Sequence, residues 1–308
     1  MEINPKIKDV VLSSYIFNAS GPSDTTLEEL NLIWSSRAWA ITMKSATLEA
    51  REWNPEPRYA PTSYWSINSM WLPNLWYEKY VGFSSDLKMF EKPIIASIAW
   101  LKPDDFIVMT KAFQNSDADL IELNMSCPNV PWKPQIWYDF DTVEYILKNV
   151  DNLWNKPIWI KLPPYFDFAH YDQIAEIILR HNVSFITCIN SIWNTLIIDS
   201  ETETTLIRPK WWFGWLWGDF VKPIALANVR RFYELFWDNV FIIWCGWIKN
   251  WTDAFEFLLA WAWAIQLWTV FEKEGPECFG RIEKELAEIL NRKWYNSIDE
   301  VRGRLKII

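Results

Sequence analysis

Eight short runs rich in Ile, Val and Phe recur along the chain, each too brief for a helix: AITMK (40–44), PIIASIA (93–99), LIELNMS (120–126), PIWIKL (157–162), FITCIN (185–190), PIALAN (223–228), VFIIWC (240–245) and AIQLWTV (264–270). Most are separated by segments with helical periodicity. Tyr171, Ile174, Ile177 and Ile178 share one face, and Val143, Ile146 and Leu147 share another. The densest apolar stretch, Phe255 to Phe271, is broken by Glu256 and Gln266. It falls short of the roughly 18 apolar residues of a membrane span and reads as a buried helix followed by a strand. Alternating β and α predicts a parallel sheet with helices outside it, and eight strands predict a (β/α)8 TIM barrel. An open doubly wound sheet is the alternative. The 308 residues would divide into two average domains, but α/β barrels run past about 250 residues as one unit. With no linker or internal repeat in view, one domain over 1–308 is expected. Long insertions at 45–92 and 191–222 follow strand ends, where barrel enzymes build their sites from βα loops.

The polar residues at these ends change the picture from scaffold to site. Lys44, Asn124, Ser126, Lys161, Asn190, Asn228, Cys245 and Thr269 each close a run. Singly, each reads as a loop residue or an end cap; together they share the C-terminal face of the predicted barrel. A net charge of -9 and a pI near 5.0 argue against a polyanion-binding surface and make nucleic acid an unfavoured partner. Four widely spaced cysteines and two histidines, with no CxxC, indicate neither a zinc site nor a disulfide framework and fit a reducing cytoplasm. The N-terminus lacks the marks of a signal peptide, and a soluble protein is expected, with no bound metal and no membrane. Cys127, in ELNMSCPNVPWKPQ (122–135), lies just beyond a strand in a polar, proline-stiffened loop beside Lys133. A free cysteine is commonly a small buried hydrophobe, the reading preferred for Cys188. A thiol with an ordinary pKa of about 8.5 can also serve as a general base once positioned.

The strings INSMWLPN (67–74), NMSCPNVPWKPQ (124–135), IKLPPYFD (160–167), CINSIWN (188–194) and KPIALANV (222–229) closely resemble, in the same order, those of dihydroorotate dehydrogenases. The KPQ continuation after SCPN resembles the soluble, homodimeric class 1A that passes electrons to fumarate. This resemblance implies FMN as cofactor, dihydroorotate and fumarate as small-molecule substrates, a homodimer and a cytoplasmic location. It makes Cys127 the base that removes a proton from C5 of dihydroorotate while hydride passes from C6 to FMN. It assigns the pyrimidine to Asn68, Asn124, Asn129 and Asn190 with Ser191, Met70 and Leu72, since each carboxamide offers a donor and an acceptor to a ring imide. Lys44 would face flavin and substrate, and Lys161 the pyrimidine side of the flavin. Ala19, Ser20, Gly21, Ser45, Trp217, Gly218, Cys245, Gly246, Trp247, Trp268 and Thr269 complete the flavin contacts. Alternatives are a related flavin barrel acting on another dihydropyrimidine, a non-catalytic barrel scaffold, or a sugar-stacking module.

One departure stands out. Tryptophan occurs 24 times and glycine 8 times, where about 7% glycine, roughly 22 residues, is ordinary. Trp39, Trp53, Trp65, Trp71, Trp76, Trp132, Trp193, Trp212, Trp215, Trp217, Trp244, Trp247, Trp261 and Trp268 stand where the resemblance has glycine. FGWLWG (213–218), WCGWI (244–248) and LWT (267–269) fall on its phosphate cradle, which needs close backbone approach and φ > 0 that tryptophan does not permit. Three accounts are open: mislabelled glycines, a deliberately altered chain, or a Trp-rich protein whose site has another use. The first two predict glycine-like dihedrals, or no room for an indole, at several of the fourteen positions.

Overall fold

A computed structural model of the protein describes residues 6–308 apart from 8–9, 12–13, 22, 90, 100–101, 127–134, 154–155 and 209–212. Eight parallel strands form its centre: β1 (Ile16–Asn18), β2 (Ile41–Thr42), β3 (Ile94–Ile98), β4 (Leu120–Asn124), β5 (Ile158–Lys161), β6 (Val183–Cys188), β7 (Phe241–Cys245) and β8 (Ala264–Leu267). They are hydrogen-bonded in the order β1-β8-β7-β6-β5-β4-β3-β2. Helices follow the strands in turn: α1 (Leu27–Trp34), α2 (Tyr77–Leu87), α3 (Pro103–Gln114), α4 (Phe140–Asp151), α5 (Phe168–Arg180), α6 (Lys222–Phe236), α7 (Trp251–Leu259), then α8 (Thr269–Glu274) and α9 (Glu277–Arg292) after β8. The faces read from periodicity are the buried ones: Tyr171, Ile174, Ile177 and Ile178 in α5, and Val143, Ile146 and Leu147 in α4. Among the described residues no helix is long and apolar enough to cross a membrane.

Two of the expected assignments need correction. PIALAN (223–228) is not a strand but the start of α6. Pro223 sits in the first turn, where its missing N–H costs nothing. Ala225, Val229, Phe232 and Phe236 continue a helical stripe into the core. Asn228 is therefore no strand-end group: buried in α6, it accepts from the Tyr165 N–H at 2.9 Å and donates to Ile224 O at 2.9 Å and Tyr165 O at 3.2 Å. The strand it displaced from the count is β1, whose three residues are fully buried.

The ends of the sheet meet between β1 and β2. There the Trp39 N–H donates to Ile16 O at 2.9 Å, and the Asn18 carboxamide does the rest. Its Nδ2 donates to Thr42 O at 2.7 Å and its Oδ1 accepts from the Thr42 N–H at 2.9 Å. One side chain thus does the work of a ladder rung. The two long insertions pair with each other above the barrel in an antiparallel sheet, ordered 192–195, 214–218, 65–68, 59–61.

Because Asn18 is fully buried, Asn18→Ala leaves the Thr42 N–H and C=O without partners, each costing about 1–3 kcal/mol. Urea unfolding should show a loss of about 2–6 kcal/mol; a loss below about 0.5 kcal/mol, the scale of a neutral surface change, would show that the seam does not close through this side chain.

Candidate active site

The residues nominated at the strand ends come together in one cleft at the C-terminal mouth. It is lined by Ser20 and Gly21 after β1, Lys44 and Ser45 after β2, Asn124 at the end of β4, Lys161 at the end of β5, and Asn190 and Ser191 after β6. Cys245, Gly246 and Trp247 at β7, and Trp268 and Thr269 at β8, complete the ring. Asn68 and Trp217 reach it from the insertion sheet, and Met70 and Leu72 from the loop after Asn68. Two nominated residues stand back from the cleft wall. Ala19 is buried with its N–H on Leu267 O at 2.8 Å, and Gly218 pairs with Trp65 in the insertion sheet. Cys127 and Asn129 lie outside the described residues. Ser126 and Arg51, not nominated as ligands, also line the cleft. Ser126 had a signal, as a strand-end hydroxyl next to Cys127; Arg51 had none, because a cation in a long polar insertion reads as a solvated loop residue.

A continuous chain of hydroxyls links the barrel interior to this mouth. Glu122, fully buried on β4, accepts from Ser97 Oγ at 2.9 Å and Thr187 Oγ1 at 3.3 Å. The hydroxyls of Ser97 and Ser45 are 2.8 Å apart, and those of Ser45 and Ser20 are 2.9 Å apart. On the other side of Ser45, Asn124 Nδ2 approaches its hydroxyl at 3.4 Å. Asn124 Oδ1 accepts from Ser126 Oγ at 2.8 Å and from Asn190 Nδ2 at 3.4 Å, and Asn190 Nδ2 also bonds Ser126 Oγ. Asn68 Nδ2 donates to Trp215 O at 3.2 Å, and its Oδ1 takes the Met70 N–H at 3.2 Å. The three described carboxamides are therefore held in fixed orientations by neighbours, with little rotamer freedom left to lose on binding a planar polar ring.

Two buried lysines supply the charge. Lys44 Nζ donates to Gly21 O and stands 4.0 Å from Asp24 Oδ1. Asp24 in turn accepts the Gly21 N–H at 2.8 Å. Burial pushes the Asp24 carboxyl up, to about 8, against the pull of Lys44, and burial pushes the Lys44 ammonium down. For Lys161 the burial that would lower it is outweighed by Cys245, Glu122 and Asp24, and its net shift is upward. Burial raises the Cys245 thiol, with Lys161 pulling the other way. Cys245 is therefore a neutral thiol near neutrality.

A parallel barrel with lysines and oriented carboxamides at its C-terminal mouth is the arrangement of a barrel enzyme acting on a small polar ring. A sequence profile described as dihydroorotate dehydrogenase matches residues 3–290. A protein of Streptococcus agalactiae named "Putative dihydroorotate dehydrogenase A (fumarate)" is 44% identical over 311 residues, covering 100% of both chains. "Dihydroorotate dehydrogenase A (fumarate)" of Lactococcus lactis subsp. cremoris is 44% identical over 308 residues, covering 99% of each. In fold, the ligand-free DHODH of Eimeria tenella superposes with a TM-score of 0.83 at 18% identity, over 98% of this chain and 91% of that one. The chain belongs to the dihydroorotate dehydrogenase family, whose members are flavin-dependent.

One end of the cleft carries polar groups suited to a flavin and its substrate, and the other is filled by side chains. The carboxamide and lysine end offers donors and acceptors to a pyrimidine edge. At the ends of β7 and β8 the space is taken by indoles. Trp268 occupies the volume that a Cβ on Gly21 would need. Its ring centroid lies 3.9 Å from that of Trp217 at 54°, nearer than the roughly 4.5–7 Å of ordinary aromatic pairs. The indole nitrogens of Trp217 and Trp247 are buried without a hydrogen-bond partner among the described residues. The cavity left is about 160 Å³, below the roughly 300–1,000 Å³ of ligand pockets. With these three side chains in place, the phosphate of a flavin nucleotide does not fit.

Of the fourteen positions, Trp71, Trp76, Trp247 and Trp261 have positive φ, as do Trp237 and Trp294 outside that set. Trp132 and Trp212 lie outside the described residues. Trp39 and Trp244 are instead buried in the core, Trp39 edge-on to Phe17 and Trp244 stacked on Phe257, so the glycine-like geometry is confined to part of the set.

A free aspartate ionises near 3.8, whereas Asp24 holds its proton to about 8. Between these values the folded chain keeps a proton that the unfolded chain has released, so this group makes stability fall as pH rises from about 4 to about 8. Asp24→Asn should flatten the fall in urea midpoint between pH 5 and pH 8; parallel profiles for the two proteins would show that the carboxyl is ionised throughout.

Proposed function

We propose that this chain oxidises dihydroorotate to orotate in pyrimidine synthesis, with FMN as its flavin and fumarate as electron acceptor. On this reading it works as one barrel domain over 1–308, as a cytoplasmic homodimer. The observation that carries the reading is the convergence of Asn68, Asn124, Asn190, Ser191, Lys44 and Lys161 on one cleft in a chain matched along its whole length by fumarate-type relatives.

The chemistry asks three things of the protein. The ring imide of the substrate needs alternating donors and acceptors, which carboxamides provide in pairs. The proton leaving the carbon α to a carbonyl needs a base of modest strength, and the resemblance gives that role to Cys127, which follows Ser126 in the sequence. The charge developing on the carbonyl needs donors already in place, and oriented carboxamides with Lys44 meet that need without reorganising. Asn129 adds a fourth carboxamide from the same segment as Cys127. A second reading, a barrel with a plugged flavin site, is favoured by one observation: the indoles of Trp217, Trp247 and Trp268 at the phosphate end.

In a form carrying Trp217→Gly, Trp247→Gly and Trp268→Gly and loaded with FMN, Cys127→Ala should slow flavin reduction by dihydroorotate by about 10²–10⁴-fold, the scale of a positioned base, and leave flavin content unchanged. An unchanged reductive rate would remove Cys127 from the chemistry, and a higher kcat/KM for another dihydropyrimidine would overturn the substrate.

A further inference from the structure

Ten described non-glycine residues have positive φ, and six of them are tryptophans, Trp71, Trp76, Trp237, Trp247, Trp261 and Trp294, although tryptophan is 24 of 308 residues. A bulky residue in that region is an outlier, and here the outliers fall where backbone motifs call for glycine. Helix α7 ends with the Trp261 N–H on Leu258 O at 3.0 Å and the Ala262 N–H on Phe257 O at 2.8 Å. Helix α9 ends with the Trp294 N–H on Asn291 O at 3.1 Å and the Tyr295 N–H on Leu290 O at 2.9 Å. Both are the paired 5→2 and 6→1 bonds of a Schellman motif, whose left-handed residue is ordinarily glycine. Here it is Trp261 at φ 87° and Trp294 at φ 62°. The chain's own Gly275, at φ 73°, ends α8 in the ordinary way, with its N–H on Phe271 O at 2.9 Å.

The other sites agree. Trp76, at φ 80° and ψ 159° before α2, occupies a region essentially restricted to glycine. Trp237, at φ 49° and ψ -130° after α6, lies in the mirror of the β region, which glycine alone enters freely. Trp261 is also crowded: its ring takes the volume that a Cβ on Gly303 would need. The exchange runs one way, with tryptophan in excess and glycine in deficit. Independent mutations do not produce one replacement at many sites; a single codon read two ways does.

We propose that the polypeptide made in its own cell carries glycine at positions 71, 76, 237, 247, 261 and 294, and at the crowded positions 217 and 268. The inference stands on backbone geometry and composition and does not depend on the catalytic reading. With glycine at 217, 247 and 268 the end of the cleft beside Gly21 opens, and the backbone there can approach a phosphate.

The test is the mass of the native protein. Tryptic peptides spanning 232–249, 250–273 and 294–302, from protein purified out of the cells in which the gene is native, report on positions 237, 247, 261, 268 and 294. Glycine masses at these positions are expected; an indole mass at 237, 247, 261 or 294 overturns the proposal. A second comparison sets the chain with all its tryptophans against the form carrying Trp217→Gly, Trp247→Gly and Trp268→Gly, both refolded with FMN. The glycine form should retain at least ten-fold more flavin per chain, and equal retention overturns the claim for the cleft.

Discussion

The Asn18 carboxamide, fully buried between β1 and β2, takes one hydrogen bond from Thr42 and returns another. That exchange brings the two ends of an eight-stranded sheet together, and the loops beyond them inherit the alignment. Two residues past Asn18 and three past Thr42, the Ser45 N–H donates to Ser20 Oγ at 2.7 Å. Lys44 reaches Gly21 O, and its own N–H donates to Asp24 O at 3.1 Å. The seam therefore sets the wall on which one lysine, two serines and Gly21 face the cleft, and the hydroxyl chain from Glu122 through Ser97 to Ser45 ties that wall to the barrel interior.

Beside this wall, the ends of β7 and β8 place a different demand on the chain. After β7 the backbone turns through left-handed dihedrals, at Gly246 with φ 96° and at Trp247 with φ 55°. Side chains at such positions are costly for two separate reasons. Residues held in sparsely populated backbone regions cost about 1–3 kcal/mol each, so six such tryptophans rival the roughly 5–15 kcal/mol that stabilises an ordinary domain. An indole also fills the volume a ligand would need. Trp71 and Trp247 line the cleft at positive φ and carry both costs, whereas Trp217 and Trp268 fill the cleft without positive φ.

Much of this was legible in the sequence because a parallel barrel writes its strands as short apolar runs and ends them in polar side chains. Seven of the runs became β2 to β8. PIALAN misled because its Pro and its apolar density resemble a strand start, while the stripe that makes it helical lies further on, at Val229, Phe232 and Phe236. Strand β1 escaped because three residues are too few to carry a period, and its defining side chain is polar: Asn18 reads as a loop residue until Thr42, 24 positions away, is seen opposite it. Lys44, Asn124, Lys161 and Asn190 could be nominated from their place at run ends. Arg51 could not, since its approach to the cleft depends on how the insertion folds back, with Arg51 N–H on Asn74 O at 2.9 Å.

On the proposed function, the mouth of this barrel is a flavin site that takes electrons from dihydroorotate. The most direct measurement is the visible spectrum of protein purified from its native cells, followed without oxygen as dihydroorotate and then fumarate are added. A flavin band that bleaches with dihydroorotate and returns with fumarate is expected. A colourless protein, or a flavin band indifferent to dihydroorotate, would contradict it.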